Sequence, residues 1–295
     1  MIRVIECKNP ADVLAIIADK SRELENIEKS AANIIAQVRL RGVDALREYT
    51  QRFDSAELTS FEVDKTEILD AYQKTNKEFL RVLEEAAANI ELYHKPQLSH
   101  GYILTPQRGV VMGQRVIPLE RVGVYVPGGT ASYPSTVLMN VIPARLAGVD
   151  EIIVCSPPRP DGSISCDILA AAHLAGAHRV IKLGGAQAIA ALAYGVGDIV
   201  PKVDKIVGPG NIYVAAAKRL VFGQVDIDMI AGPSDVLIIA DSGADAVCVA
   251  ADLLSQAEHD ILSRVILVTP DASFVKAVCT ELEKQLSDLP RSDIA

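Results

Sequence analysis

The sequence lacks an excess of positive charge: 29 Lys and Arg stand against 38 Asp and Glu, for a net charge of -9. An acidic surface of that kind repels a phosphate backbone, so no nucleic-acid partner is expected. Cationic tails and basic amphipathic stretches are missing too, and with them the means to lie on a membrane surface. No stretch reaches the ~18 uninterrupted apolar residues of a spanning helix. The opening residues Met1-Ile2-Arg3-Val4-Ile5-Glu6 carry no signal-peptide apolar core. The five cysteines (Cys7, Cys155, Cys166, Cys248 and Cys279) are odd in number, widely spaced and form no C-x-x-C. That is the pattern of free thiols in a reducing cytosol rather than a disulfide frame, and a cytoplasmic protein is expected. Repeats of fixed period and low-complexity segments are also absent.

What is present is a chain of 295 residues, 49% hydrophobic and 23% charged, long enough for two domains with sizeable cores. Its first part reads as helical. Asn9-Pro10 predicts a helix start, a cap followed by proline in the first turn. Leu24, Ile27, Ala31, Ile34, Ile35 and Val38 recur at helical spacing, and a second amphipathic run uses Ile68, Tyr72, Phe79, Leu83, Ala87 and Ile90 before stopping at Lys95-Pro96. No catalytic constellation stands out there, and a helical scaffold or oligomer contact is the expectation.

The character changes at Glu120. Val122 to Val126 is a short apolar strand closed by Pro127-Gly128-Gly129, and Ser135 is positioned to cap a helix running to Gly148, with a kink at Pro143. Strands follow at Glu151 to Cys155, Arg179 to Leu183 and Lys205 to Val207, each succeeded by a helix: Ser165 to Ala175, an alanine-rich run to Tyr194, and a run to Val221. After Gly232-Pro233-Ser234-Asp235 the pattern resumes with strand Val236 to Ala240, helix Asp245 to about Glu258, strand Arg264 to Val268 and helix Phe274 to Leu286. Short apolar strands alternating with helices predict βαβ units and a parallel sheet. The fold class is therefore α/β, Rossmann-like in the middle, with a helical N-terminal segment.

Three of these strands end in glycine-rich turns that open helices, and in an open parallel sheet such turns gather at the carboxyl edge where ligands bind. Glycine admits close backbone approach, and the following helix N-terminus offers N–H groups to an anion. The match to a dinucleotide fingerprint is partial: Gly208-Pro209-Gly210-Asn211-Ile212-Tyr213 has the first two glycines but Tyr in the third place, and Gly184-Gly185-Ala186-Gln187 lacks the spacing. Tight βα turns and a ligand cleft both remain open on this pattern. Gln256 and His259, three apart on a predicted helix, share a face, as a ligand pair or as a polar helix end. Ser234 and Asp235 fit a binding loop or a plain connection. Cys155 ends a strand without a neighbouring cation in sequence to activate it, which favours a buried core cysteine.

Taken as an ordered set, these residues resemble one family. Glu120-Arg121-Val122-Gly123-Val124-Tyr125-Val126-Pro127-Gly128-Gly129 and Tyr133-Pro134-Ser135-Thr136-Val137-Leu138-Met139 resemble histidinol dehydrogenase. So do Gly184-Gly185-Ala186-Gln187-Ala188-Ile189, Val207-Gly208-Pro209-Gly210-Asn211, Ala231-Gly232-Pro233-Ser234 and Ser255-Gln256-Ala257-Glu258-His259-Asp260. Arg41-Gly42-Val43-Asp44-Ala45-Leu46 and Arg52-Phe53-Asp54 extend the likeness to the helical part, so that it covers nearly the whole chain.

The resemblance implies oxidation of L-histidinol to L-histidine through L-histidinal in histidine biosynthesis, with NAD as oxidant and a bound zinc (Zn2+). It implies NAD contacts at Tyr125, Gln187 and Asn211, substrate contacts at Ser234, Gln256 and His259, and zinc ligation by Gln256 and His259. It also implies a homodimer and a three-part chain: 1–120 as the helical part of a first domain, 121–235 as a Rossmann-like NAD-binding domain, and 236–295 returning to the first domain. Two departures stand out. Ile261 replaces an expected proline, and the Glu-His pair that serves as general acid and base in the family is expected beyond Ala295, so none of these residues is assigned a catalytic role. On that ground the chain by itself is expected to be inactive. The alternatives are a truncated, non-catalytic paralogue kept for binding or assembly, and a dehydrogenase of another amino alcohol.

Overall fold

A computed structural model describes residues 2–7, 9, 21–128, 132–230, 234–258, 263–289, 292 and 294, with the backbone alone for 21–24. The helix expected after Asn9-Pro10 falls on 10–20, outside the described residues. The chain divides into two compact units, one formed by Arg22–Ile230 and the other by Met1–Ser21 with Ala231–Ala295.

The larger unit is built on five parallel strands: β3 (Arg121–Tyr125), β4 (Glu151–Ser156), β5 (Arg179–Lys182), β6 (Lys205–Val207) and β7 (Asp226–Ile227). Their order across the sheet is β5-β4-β3-β6-β7. Chain order therefore runs outward from β3 to β5, returns to the other side of β3 at β6, and continues to β7. This is the doubly wound arrangement in which the reversal between β3 and β6 opens a crevice at the carboxyl ends. Side chains alternate across the sheet, as the two-residue period of a strand requires. Ile152 and Val154 face one core; Ile153 and Cys155 face the other.

Helices cover both faces. On one side lie α1 (Ser21–Arg41), α2 (Val43–Asp54), α7 (Gly185–Tyr194) and α8 (Ile212–Val221); on the other lie α3 (Lys65–Lys74), α4 (Lys77–His94), α5 (Pro134–Leu146) and α6 (Cys166–Ala175). The first face is alanine-rich, and α7 buries Ala186, Ala188, Ala190, Ala191 and Ala193, so the helix sits close to the sheet. Gly123 in β3 matches it: a Cβ there would lie 2.8 Å from Leu192 Cδ1. Phe61 to Val63 runs along β5, with Val63 N–H donating to Val180 O (2.9 Å) and Lys182 N–H to Phe61 O (2.6 Å). Arg179 clasps Glu62 through Nε (2.9 Å) and Nη2 (2.6 Å). The sheet edge is thereby covered instead of left open to pairing.

The periodicity of Ile27, Ala31, Ile34, Ile35 and Val38 is the buried stripe of α1. The second amphipathic run is two helices, not one: Asn76 Oδ1 accepts from the N–H groups of Glu78 (2.8 Å) and Phe79 (3.3 Å) and starts α4 afresh. The predicted cap at Ser135 is also corrected. The cap position is Tyr133, Pro134 occupies the first turn where its missing N–H is harmless, and the helix passes through Pro143 to Leu146. A hairpin, β1 (Tyr102–Gln107) with β2 (Val110–Gln114), was not anticipated.

The smaller unit contains a parallel pair, β8 (Val236–Ile239) with β9 (Val265–Val268), joined by α9 (Ala246–Ala257) and followed by α10 (Ala272–Leu286). Asp245 and Asp271 cap these helices through their carboxylates. Val249, Ala250, Leu253, Phe274 and Val278 form their core. Among the described residues, no helix is long and apolar enough to cross a membrane.

Candidate functional site

All five strands of the larger sheet are parallel, so their carboxyl ends share one edge, and three of the expected site residues come together there. Tyr125 ends β3, Gln187 stands in the first turn of α7 after β5, and Asn211 caps α8 after β6. The β3 and β6 ends flank the switch point itself.

Tyr125 is buried, and its hydroxyl oxygen accepts a hydrogen bond from Gly185 N–H at 3.1 Å, tying the end of β3 to the start of α7. Burial pushes this phenol above its ordinary range, while the Gly185 N–H pulls the other way. The hydroxyl thus keeps its proton at neutral pH and remains a donor. Cys155, the last core residue before Ser156, is fully buried, and burial pushes its thiol up to about 12 despite the charge of Arg179. It is a core cysteine, as its sequence context favoured, and not a nucleophile.

Gln187 is 1% exposed, yet neither Oε1 nor Nε2 has a hydrogen-bond partner among the described residues. Ser156 Oγ and Asp54 Oδ2 are buried in the same unpartnered way. Leaving such a group unsatisfied costs roughly 1–3 kcal/mol, so a ligand or ordered water must take up these bonds. Each of the three side chains lies against a glycine of the turns after β3 and β5. A Cβ on Gly185 would meet Gln187 Oε1 at 2.7 Å, one on Gly184 would meet Asp54 Oδ1 at 3.3 Å, and one on Gly128 would meet Ser156 Oγ at 3.1 Å. Pro157 packs against both Gly128 and Gly184 and holds these turns together. The cap position of α7 is Gly184, which has no side chain, and the first N–H of the helix, that of Gly185, goes to the Tyr125 hydroxyl. Buried polar groups without partners and glycine turns, gathered on the carboxyl edge of a doubly wound sheet, fit a dinucleotide.

The turn after β6 is different in kind. Gly208 has φ +106°, and a Cβ there would overlap the carbonyl oxygen of Tyr125. Its N–H donates to Asp228 Oδ2 (2.8 Å), and its carbonyl accepts from Lys218 Nζ (3.0 Å). Lys218, 2% exposed, also pairs with Asp228 Oδ1. Asn211 is exposed, and its Oδ1 accepts from Tyr213 and Val214 N–H, each at 3.1 Å. Its oxygen is engaged in capping, which leaves the amide nitrogen as the donor it can offer a ligand.

The remaining expected residues belong to the smaller unit. Ser234 is exposed just ahead of β8, and Gln256 lies half-buried in the last turn of α9, where its Nε2 donates to Ser263 Oγ at 3.3 Å. Asp235 is structural: its carboxylate accepts from Arg264 N–H (3.0 Å) and Nη2 (3.0 Å), joining the starts of β8 and β9. His259 lies outside the described residues. Among the described residues no group of three or more His, Cys, Asp and Glu side chains could hold a metal ion. Of the expected zinc pair the described residues include Gln256 alone, a neutral amide bonded to Ser263. Sequence reasoning gave no role to Thr50, Asp54 or Ser156, all of which carry unpartnered buried polar atoms among the described residues.

Comparison with known proteins agrees with this fold. The family described as histidinol dehydrogenase matches residues 17–295. Curated histidinol dehydrogenases of Geobacillus kaustophilus and Streptococcus mutans are each 54% identical to the chain, over 92% and 93% of it. The crystal structure of histidinol dehydrogenase from Elizabethkingia anophelis superposes with a TM-score of 0.75 at 40% identity, covering 93% of this chain and 66% of that one. The chain spans 64% of the length of either curated relative. With the motifs in order, the doubly wound sheet in place and the match running from residue 17 to the last, the chain belongs to the histidinol dehydrogenase family.

Proposed function

We propose that the chain supplies the cofactor-binding framework of an NAD-dependent enzyme that oxidises L-histidinol to L-histidine through L-histidinal in histidine biosynthesis. The observation that carries the reading is the Gln187 amide, buried and without a partner among the described residues in the first turn of α7. Two NAD, bound in turn, would supply the oxidant for the two two-electron steps, one from alcohol to aldehyde and one from hydrated aldehyde to carboxylate. The chain's own part is binding and orientation. Tyr125 keeps its hydroxyl fixed by Gly185 N–H and protonated, Gln187 offers both a donor and an acceptor from a rigid helix start, and Asn211 offers its amide N–H from the cap of α8. Glycine turns let the nucleotide approach the backbone and shut water out. In this reading 121–235 is the cofactor domain.

Ser234, Gln256 and His259 are proposed as substrate contacts, the last two also as zinc ligands, on the strength of the family alone. A cytoplasmic homodimer acting on a small molecule, without nucleic acid or membrane, completes the proposal. The test is histidinol-dependent NADH formation by the product of the native gene, with zinc supplied. NADH formation that needs histidinol supports the reading; its absence at every zinc level contradicts it.

A further inference from the structure

Asp54 is the last residue of α2, an element outside the sheet, yet its carboxyl reaches the carboxyl edge. An ideal Cβ on Gly184 would stand 3.3 Å from Asp54 Oδ1 and 2.6 Å from Pro157 Cβ. Gly184 follows β5 and Pro157 follows β4, so the carboxyl lies where the ends of the second and third strands of the wound meet. In dinucleotide-binding sheets an acidic side chain at the end of the second strand reads the ribose hydroxyls. Here that strand ends in Ser156-Pro157 and supplies no acid.

The ordinary reasons for an aspartate at this place are missing. It does not cap α7, whose first N–H goes to the Tyr125 hydroxyl, and no hydrogen bond engages its buried Oδ2. A carboxylate in the last turn of a helix opposes the helix dipole as well. The next residue, Ser55, is the one non-glycine residue with positive φ among the described residues, at 54°. Local stability favours none of these, and such concentrations of unfavourable choices mark functional positions.

Resting on the NAD reading above, we infer that Asp54 is the ribose-reading carboxylate of this site, supplied from α2 in place of the missing acid at the end of β4. Its carboxylate accepts from an adenosine ribose hydroxyl and, by charge, repels a phosphate in that position. The ligand class is a dinucleotide with free ribose hydroxyls, and the residue sets the preference for NAD over NADP. Burial, which disfavours the charged form and pushes the carboxyl up to about 6, leaves it ionised at neutral pH.

The experiment is calorimetric titration of the 295-residue chain and its Asp54→Leu variant with NAD and with NADP at pH 7.5, alongside thermal unfolding. The wild-type chain is expected to favour NAD by about tenfold or more. Asp54→Leu is expected to weaken NAD by about tenfold, to bind NADP more tightly than wild type because the repelling charge is gone, and to unfold no earlier than wild type, since it removes a half-buried, unpartnered carboxylate. If Asp54→Leu does not fold, Asp54→Asn decides: a preference reduced about threefold or more supports the inference, and an unchanged one overturns it. Wild-type binding of NAD with the same preference in both proteins overturns the assignment of Asp54 and leaves the cofactor reading standing. Binding of neither nucleotide by the wild-type chain overturns both.

Discussion

Two turns on the same sheet edge solve opposite problems. After β6, both polar groups of the Gly208 peptide are taken, the N–H by Asp228 and the carbonyl by Lys218, and those two side chains pair with each other. After β4 and β5, Ser156, Gln187 and Asp54 keep polar atoms buried with no partner among the described residues. The first turn is held by the protein alone. The second is complete only when something else supplies the bonds, since a buried polar network left half-satisfied is less stable than an apolar one. The edge therefore has a fixed wall beside Tyr125 and an unfilled one beside Gln187.

That contrast can be broken from either side. The largest effect is expected at Lys218: Lys218→Met leaves Asp228 and the Gly208 carbonyl without their cation, and should lower stability by about 3 kcal/mol in chemical denaturation. Gly208→Ala forces a side chain into positive φ and against Tyr125, and should lower it by roughly 2 kcal/mol, with NAD affinity falling in step. Asn211→Ala removes the α8 cap and should cost about 1 kcal/mol, as measured in the same way.

The smallest effect concerns pH. Between its ordinary value of 3.8 and about 6, Asp54 is protonated in the folded chain and ionised in the unfolded one, so folding binds a proton. Its contribution is fully present below pH ~4 and is lost as pH rises through ~6. The carboxylates of Asp64, Asp161, Asp226 and Asp271, all lowered by hydrogen bonds from neighbouring groups, act in the opposite sense. The clean observable is therefore the difference between wild type and Asp54→Asn. The variant should gain in relative stability from pH 4 to pH 7, by thermal unfolding; a difference that does not change with pH contradicts the burial of this carboxyl.

Four of the five strands of the sheet and the helices between them were legible because each of these strands is a short apolar run stopped by glycine or proline, with limits within a residue or two of expectation; β7, two residues of which one is Asp226, was not anticipated. The β1–β2 hairpin was not, since every residue of Tyr102–Gln107 is exposed and no alternation of burial marks it. The break before α4 carried a readable signal: Asn76 stands three residues ahead of Phe79, which is the spacing of a cap. Helix α2 had one as well, in Ala45, Leu46 and Tyr49 at helical spacing. At the site, Tyr125, Gln187 and Asn211 could be placed at strand ends and helix starts from the turns around them. Asp54 could not, because its significance arises from burial against Gly184, 130 positions away in sequence, and from a bond it does not make. The engaged state of Asp235 likewise follows only from its meeting with Arg264.

The most direct test of the unfilled wall is titration of NAD into Gln187→Leu, with the unfolding free energy of the same sample measured beside it. A similar apolar side chain removes two unpartnered atoms, so stability should hold or rise by about 1 kcal/mol while NAD affinity falls by about tenfold. Affinity equal to wild type, or a loss of affinity matched by a loss of stability, would contradict the account.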